Sequence, residues 1–431
     1  MLRTHYANEI KPEMDGKEVV VAGWVHEVRD LGKIKFIILR DRSGLVQITG
    51  KSETTDEKIL KKMNLVKESV VTVKGIIKRE RQARNGVEIN PVEIKDLNPV
   101  SVKIPFEVTG KVPADIDVRL DHRHIDLRRI ETQAIFEVRS EMLRAFREKM
   151  IDMGFQEINP PCIVSAATEG GTDLFPVEYF ENRVFLAQSP QIYKQLAVIG
   201  GMDKVFMVTP VFRAEKHNTT THLNEIISLD MEMGFADHND AMNVLEDVMK
   251  HIFSCVKDKC PDSLKLLKSE ITVPKKIKRF TYTEIVELLN KEGERIPWGA
   301  DFNKEQEKKM AELLGEEIFF ITEWPTKIRA FYSMPKEDKE EICYAYDLMY
   351  KGLEIASGAY RVHLLETLIK QLKSRDLNPD DFSFYVDAFK MGAPPHAGFA
   401  IGAERLTMQL CNKENIRECA LFPRDRNRVM P

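Results

Sequence analysis

Three short stretches of the 431-residue chain carry side chains suited to gripping a phosphorylated or carboxylated ligand. The first is Val211-Phe212-Arg213-Ala214-Glu215, followed by the polar run Lys216 to His222 and the apolar Ile226-Ile227-Ser228-Leu229. This order predicts strand, polar loop, strand. An arginine at a strand end can clamp a carboxylate or phosphate through two parallel N–H groups, which a lysine does less well. Glu215 and the loop could then hold an adenine amino group and the outer phosphates. The alternative is an exposed hairpin in which Arg213 and Glu215 merely pair across strands. The second stretch is Gly398-Phe399-Ala400-Ile401-Gly402-Ala403-Glu404-Arg405-Leu406. Its glycines permit close backbone approach, and Arg405, on the first turn of a helix predicted over 402–410, can stack on a base while reaching a phosphate. Neither a GxxxxGKS/T P-loop nor a GxGxxG fingerprint occurs, which disfavours those nucleotide folds. The third group is Asp347, Glu354 and Ser357 in one strand-like stretch. Oxygen ligands without Cys or His suit Mg2+ bridging substrate phosphates, although carboxylates at strand ends are more often simply solvated.

These groups need a scaffold, and the chain predicts two. Residues 18–97 read as five short strands with one helical stretch near Asp56–Asn64, and Arg84-Asn85-Gly86 is a turn signal. That pattern suits a small closed barrel of the OB type, with a generic β-sandwich as the alternative. Pro99, Pro105, Gly110 and Pro113 mark a connector. Beyond it, Ile135, Val138, Met142, Phe146, Met150 and Met153 recur at helical spacing and end at Gly154. Strands are expected at 183–189, 204–213, 225–235, 347–355 and 398–401, with a second amphipathic helix at 240–257. The domains are therefore an OB-type barrel over 1–97, a linker or hinge over 98–130, and a mixed α+β domain over 131–431 with a peripheral insertion at about 262–340.

Composition excludes several classes. Lys and Arg number 64 against 68 Asp and Glu, which rules out a wholesale polycationic nucleic-acid binder but not a local basic stripe. Six cysteines without a CxxC pair do not make a disulfide framework in a chain this long. Cys255 and Cys260 show no obvious histidine partner, which argues against structural zinc. No apolar run approaches the roughly 18–20 residues needed to span a bilayer, and Met1 to Tyr6 is no secretory signal. A reduced, cytoplasmic, soluble protein without a membrane partner is expected.

In their order and spacing the three groups resemble the class II aminoacyl-tRNA synthetases, most closely the aspartyl enzymes of the archaeal and eukaryotic type. Gly154-Phe155-Gln156-Glu157-Ile158-Asn159-Pro160-Pro161 is similar to class II motif 1, Phe212-Arg213-Ala214-Glu215 to motif 2, and Gly402-Ala403-Glu404-Arg405 to motif 3. Ser165 to Thr172, Gln188 to Lys194, and Phe422-Pro423-Arg424-Asp425-Arg426 resemble the aspartyl branch more specifically. The resemblance spans essentially the whole chain. It implies an OB anticodon-binding barrel joined to an α+β synthetase domain with an antiparallel sheet.

The implied reaction activates L-aspartate with ATP and then transfers it to the 3′ end of tRNA(Asp), in a homodimer, with Mg2+ as cofactor. By resemblance, Arg213, Glu215 and Arg405 are catalytic. Glu169, Gln191, Lys194, Arg213, Ser357 and Arg361 bind aspartate, with His396 a further contact. Arg213, Ala214, Glu215, Thr221, His222, Leu223, Glu354, Gly402, Ala403, Glu404 and Arg405 bind ATP. Glu354 and Ser357 hold Mg2+, with Asp347 beside them. His26, Arg29, Phe36, Gln47 and Arg84 meet the anticodon; the bland alternative puts Phe36 in the barrel core with Ile34 and Ile38. Ala400, Thr221 and Ile226 depart from the family pattern, where Gly, Arg and an adenine-stacking Phe are usual. His26 resembles enzymes that also charge tRNA(Asn), whereas the surroundings of Arg84 lean toward tRNA(Asp) alone. The rivals are an asparaginyl-tRNA synthetase, an ATP-dependent asparagine synthetase, and an RNA-binding OB protein with a degenerate synthetase domain. Lys194 opposes the first, the barrel the second, and the retained Arg213, Glu215, Glu354 and Arg405 the third.

Overall fold

The computed structural model describes residues 2–165, 174–216 and 219–431, which divide into one unit up to Gln133 and another from Ala134 to Pro431. In the first unit, β1 (Glu18–Asp30), β2 (Ile34–Asp41), β3 (Gly44–Lys51), β4 (Val70–Arg79) and β5 (Val87–Asn98) close into a barrel in the order β1-β2-β3-β5-β4. Alternation drives this closure: Val19, Val21, Val25, Ile37, Leu39, Val46, Ile48, Val71 and Val73 all point into one buried core. The expected helix lies at Glu57–Lys62, capped by Asp56, whose side chain accepts from the Lys58 N–H. Residues 98–130, expected as a linker, contain short helices at Ile116–Asp121 and Arg123–Asp126. There the Arg123 guanidinium lies 2.6 Å from Asp126 and both are buried. A buried pair of this kind marks folded structure rather than a free hinge.

The second unit is built on an eight-stranded sheet. Its members are drawn from β6 (Gln156–Glu157), β7 (Ile163–Val164), β8 (Pro176–Tyr179), β9 (Asn182–Leu186), β10 (Lys204–Phe212), β11 (Glu225–Gly234), β12 (Lys278–Thr281), β13 (Ile318–Thr322), β14 (Ala345–Tyr350), β15 (Leu353–Tyr360) and β16 (His396–Gly402). The sheet order is β12-β13-β14-β15-β16-β11-β10-β6, and β7-β9-β8 form a separate three-stranded sheet. The central strands pair antiparallel. Helix Ile130–Asp152 buries the predicted stripe Ile135, Val138, Met142, Phe146 and Met150, and helix His238–Lys259 packs Leu245, Met249, Ile252 and Val256 into the same core.

Two expectations change here. The strand predicted over 347–355 is a hairpin, because Lys351 and Gly352 turn with φ of 50° and 68°, the left-handed pair that tight hairpins require. Asp347 and Ser357 thereby face each other across adjacent strands. The stretch 262–340, expected as a peripheral insertion, supplies β12 and β13 to the edge of the main sheet. Its helices Tyr282–Lys291 and Lys304–Leu314 share a buried core with that edge, through Ile285, Leu289, Met310, Phe319 and Ile321.

Candidate functional site

Register brings the distant motifs together. Asp230 on β11 pairs with Ala400 on β16, Ala400 with Ser357 on β15, and Ser357 with Asp347 on β14. Directly paired residues share one face, so this row crosses four strands on one side of the sheet. A cavity of about 310 Å3 is lined from β10, β11, β14, β15 and β16. Among the expected residues Gln191, Arg213, Glu215, Thr221, His222, Leu223, Glu354, Ser357, Arg361, Gly402, Glu404 and Arg405 line it. Ala400 lines it too, and a small side chain in the row leaves that space open. Ala214, Lys194 and Ala403 are not in the lining. Glu169 lies outside the described residues.

One end of the cavity is an ion cluster. Lys194 is fully buried; its ammonium lies 2.8 Å from Asp230 Oδ1, 3.1 Å from the Phe399 carbonyl, and 3.4 Å from both the Met231 carbonyl and Glu232 Oε2. Its three ammonium protons face four acceptors, so its charge is shared with Asp230 and Glu232. Arg361 grips Glu232 with two N–H groups, Nε to Oε1 at 2.8 Å and Nη2 to Oε2 at 3.2 Å, and Gln191 Nε2 lies 3.4 Å from the same carboxylate. Burial pushes the Glu232 carboxyl up, but Arg361 and Lys194 outweigh it and hold the group below the usual carboxylate range. The close seat of Glu232 needs Gly398: an added Cβ there would stand 2.2 Å from Glu232 Oε2. Asp230 and Glu232 went unread in the sequence, although charges alternating with Leu229, Met231 and Met233 on a strand were a usable signal. His396, expected as a contact, is a satisfied structural histidine. It lies 2.7 Å from the Pro394 carbonyl through Nδ1 and 2.8 Å from Gln195 Nε2 through Nε2, and burial lowers its pKa.

The other end presents two arginines. Arg213, just past β10, is exposed, and its guanidinium makes no hydrogen bond or ion pair with the described residues. Its backbone is fixed by Asn224, whose Nδ2 donates to the Arg213 carbonyl at 2.7 Å and to that of Glu215 at 3.4 Å. Arg405, on the first turn of helix Ala403–Leu410, donates to the Glu354 carbonyl at 3.1 Å and the Thr221 carbonyl at 3.4 Å, and reaches His222 Nε2 at 3.1 Å. With Nε2 accepting, the hydrogen-bond network assigns the imidazole proton to Nδ1, which donates to Thr219 Oγ1 at 2.8 Å. Burial and the Arg405 charge lower the His222 pKa. Glu404, expected as a ligand contact, spends one oxygen on Arg139 at 2.7 Å and the other on the Ile227 N–H at 3.0 Å. It ties helices to sheet and has little left to offer a ligand. Ile226 lines the cavity without an aromatic ring of its own.

Carboxylates gather between these ends. Asp347 is buried, pairs with Arg329, and leaves its Oδ1 without a hydrogen-bond partner. Burial and the neighbouring Glu354 push it up to about 6 against the Arg329 charge. Glu307, on helix Lys304–Leu314, is pushed up to about 7 by burial and by Glu354. Carboxylate oxygens, one of them buried without a partner, are the donor chemistry that a hard divalent cation takes. Arg329 comes from the loop before β14 and Glu307 from helix Lys304–Leu314, and neither stood out in the sequence. Because Glu307 ionises at about 4.5 unfolded but near 7 folded, stability should fall as pH rises from 4.5 to 7. Glu307→Gln should remove that loss. In metal-free buffer the variant should be more stable than wild type by on the order of 1–3 kcal/mol at pH 8, with little difference near pH 4.5. Thermal melts at both values check it, and equal melting temperatures at pH 8 would sink it.

On the barrel, Arg29 pairs directly with Phe36, and Ile38 with Gln47, across β1, β2 and β3. Phe36 is half-buried and is not a member of the barrel core, whereas its neighbours Ile37 and Leu39 are. Arg29, Phe36 and Gln47 thus share the outer face. A bulge between Val25 and Glu27 falls at His26, re-aiming a side chain that strict alternation would have misplaced. His26 Nδ1 lies 2.9 Å from Arg40, itself 2.7 Å from Glu68, and burial with the Arg40 charge lowers its pKa. The Arg84 side chain lies outside the described residues.

Residues 115–426 match the family model for tRNA synthetases class II (D, K and N), and residues 19–97 match that of the OB-fold nucleic acid binding domain. The chain is 50% identical over 431 residues to the aspartate–tRNA(Asp/Asn) ligase of Methanocaldococcus jannaschii, covering 100% of this chain and 98% of that one. The enzyme of the same name from Archaeoglobus fulgidus is 48% identical over 428 residues, 99% of each chain. Among solved structures, the asparaginyl-tRNA synthetase of Pyrococcus horikoshii with asparaginyl-adenylate superposes with a TM-score of 0.95 at 31% identity, covering 100% of both chains. The aspartyl-tRNA synthetase of Entamoeba histolytica gives 0.90 at 32% identity, over 100% of this chain and 93% of that one.

Proposed function

The chain belongs to the class II tRNA synthetases of the D, K and N group and is an aminoacyl-tRNA ligase, and from that premise we propose that it joins L-aspartate to tRNA(Asp), with tRNA(Asn) as a second acceptor. The observation that carries the amino-acid reading is Arg361: it lines the cavity while Glu232 takes only two of its N–H groups. The remaining N–H groups of a planar fork suit a side-chain carboxylate, where asparagine carries only an amide. Lys194 contributes positive charge from behind the cavity wall, and Gln191 and Ser357 orient the substrate. The two archaeal ligases named above act by name on both tRNAs, and His26 fits that reading better than the narrower one.

In the first step the α-carboxylate of aspartate attacks the α-phosphorus of ATP, and the bond to the bridging oxygen breaks as pyrophosphate leaves. In the second, a hydroxyl of the terminal ribose of tRNA attacks the acyl carbon and loses its proton, and the bond to the phosphate breaks as AMP leaves. Positioning and charge stabilisation carry both steps. Arg213 bridges the α-carboxylate and α-phosphate, and Glu215, Thr221, His222 and Leu223 orient the nucleotide. Arg405 packs against adenine and reaches the outer phosphate. Glu354 and Ser357, with Asp347, would hold Mg2+, which neutralises phosphate charge when bound. A homodimer in the cytoplasm is part of this reading, supported by the likeness of residues 154–161 to motif 1. Among the described residues no helix is long and apolar enough to cross a membrane.

The test is ATP–pyrophosphate exchange without tRNA, run separately with aspartate and asparagine. Exchange with aspartate alone supports the reading; exchange with asparagine, or none at all, overturns it. The barrel gives an independent check. Phe36→Ala should weaken tRNA binding by about 1–3 kcal/mol, the worth of one stacked base, and leave tRNA-independent exchange unchanged. Lost exchange in that variant would mean that Phe36 serves the fold instead.

A further inference from the structure

One group of metal-ligating side chains lies apart from the cavity. Glu148, on helix Ile130–Asp152, meets His251 and Cys255, one turn apart on helix His238–Lys259, and their ligand atoms all lie within 4.8 Å of one another. His251 Nε2 is 3.3 Å from Glu148 Oε2 and 3.5 Å from Cys255 Sγ. We propose that these three residues bind a single Zn2+-type ion that clips the two helices together. A tetrahedral zinc with ordinary bond lengths separates nitrogen from oxygen by about 3.3 Å and nitrogen from sulfur by about 3.6 Å, so the two measured separations already match. Imidazole, thiolate and carboxylate are a donor set that zinc prefers over Mg2+ or Ca2+. His251 and Glu148 keep 29% and 42% of their side-chain surface exposed, so an ion can enter and a water can complete the fourth position.

Two neighbours bear on occupancy. Arg144 lies 2.8 Å from Glu148 and 2.6 Å from Glu141, so it can give up the first carboxylate and keep the second. The His251 hydrogen bond and Arg144 keep Glu148 ionised, whereas burial raises the Cys255 thiol and makes metal binding release a proton. The sequence hid this site because Cys260 drew attention away from His251 and because Glu148 comes from another helix. Cys260 points into the core instead.

The reduced, chelator-treated full-length protein, titrated with Co2+ and then Zn2+, tests the proposal. One equivalent of Co2+ should produce a thiolate charge-transfer band and the visible bands of a four-coordinate ion, and Zn2+ should displace it. Cys255→Ser and His251→Ala should each weaken binding by more than about tenfold, the loss that even an outer-shell change brings. Zn2+ should also raise the melting temperature of wild type but not of these variants. Absence of the band means an ordinary hydrogen-bonded trio and overturns the site. A band that survives in both variants places the metal on another cysteine and overturns it equally. Circular dichroism of the variants, whose substitutions are at half-buried positions, confirms that they fold.

Discussion

Replacing Arg213 with alanine is expected to lower ATP–pyrophosphate exchange with aspartate by roughly 100- to 1,000-fold, the usual loss when a preorganised donor to a developing charge is removed. The fold should not notice. The guanidinium is exposed and has no partner among the described residues, and what fixes the loop is the backbone contact from Asn224. Thermal melts of wild type and variant should therefore coincide, which separates a catalytic loss from a structural one. Arg213→Lys should recover only part of the rate, because a point charge cannot bridge two anionic groups as a planar fork does. The loss should appear in kcat at least as strongly as in KM, since charge on the α-phosphate grows only as the transition state is reached. Exchange within a few-fold of wild type in Arg213→Ala would remove this residue from the mechanism.

The difference between Arg213 and the other site residues shows what a sequence displays. The barrel was legible because its strands are short and β-branched and its turns carry glycine or asparagine, as at Asn85-Gly86, although β2 and β3 alternate less cleanly than β1. The helix Ile130–Asp152 was legible from one stripe of apolar residues. Arg213, Glu354 and Arg405 stood out because charged groups at strand ends and at a glycine-flanked helix start are placed to grip a phosphate or carboxylate. The pairings were not legible. That Asp347 faces Ser357 depends on a two-residue turn, and that Ser357 faces Ala400 depends on the register of strands over forty residues apart. Lys194 and Arg361 read as cations awaiting a substrate, because nothing local announces that Asp230 and Glu232 already hold them. Long-range electrostatic pairing is a property of the sheet, and only the sheet displays it.

That pairing gives the second large effect. Arg361→Ala should abolish most aspartate-dependent exchange and also destabilise the protein, for two separable reasons. Activity falls because the cavity loses the arginine that grips Glu232 and keeps further N–H groups for a ligand, and a site that has lost the partner of a charged substrate group discriminates and binds poorly. Stability falls because Glu232, fully buried, keeps only Lys194 and Gln191 at 3.4 Å each. Breaking a buried pair by removing one partner costs about 3–5 kcal/mol. The double variant Arg361→Leu with Glu232→Leu removes both charges, leaves Lys194 with Asp230 at 2.8 Å, and should recover most of the stability. It should recover none of the exchange, since the carboxylate-binding fork is still gone. Melting temperatures and exchange rates measured on the same three proteins therefore move together in the single variant and apart in the double one. If exchange returned along with stability, Arg361 would be a scaffold residue and the aspartate reading would lose its main support.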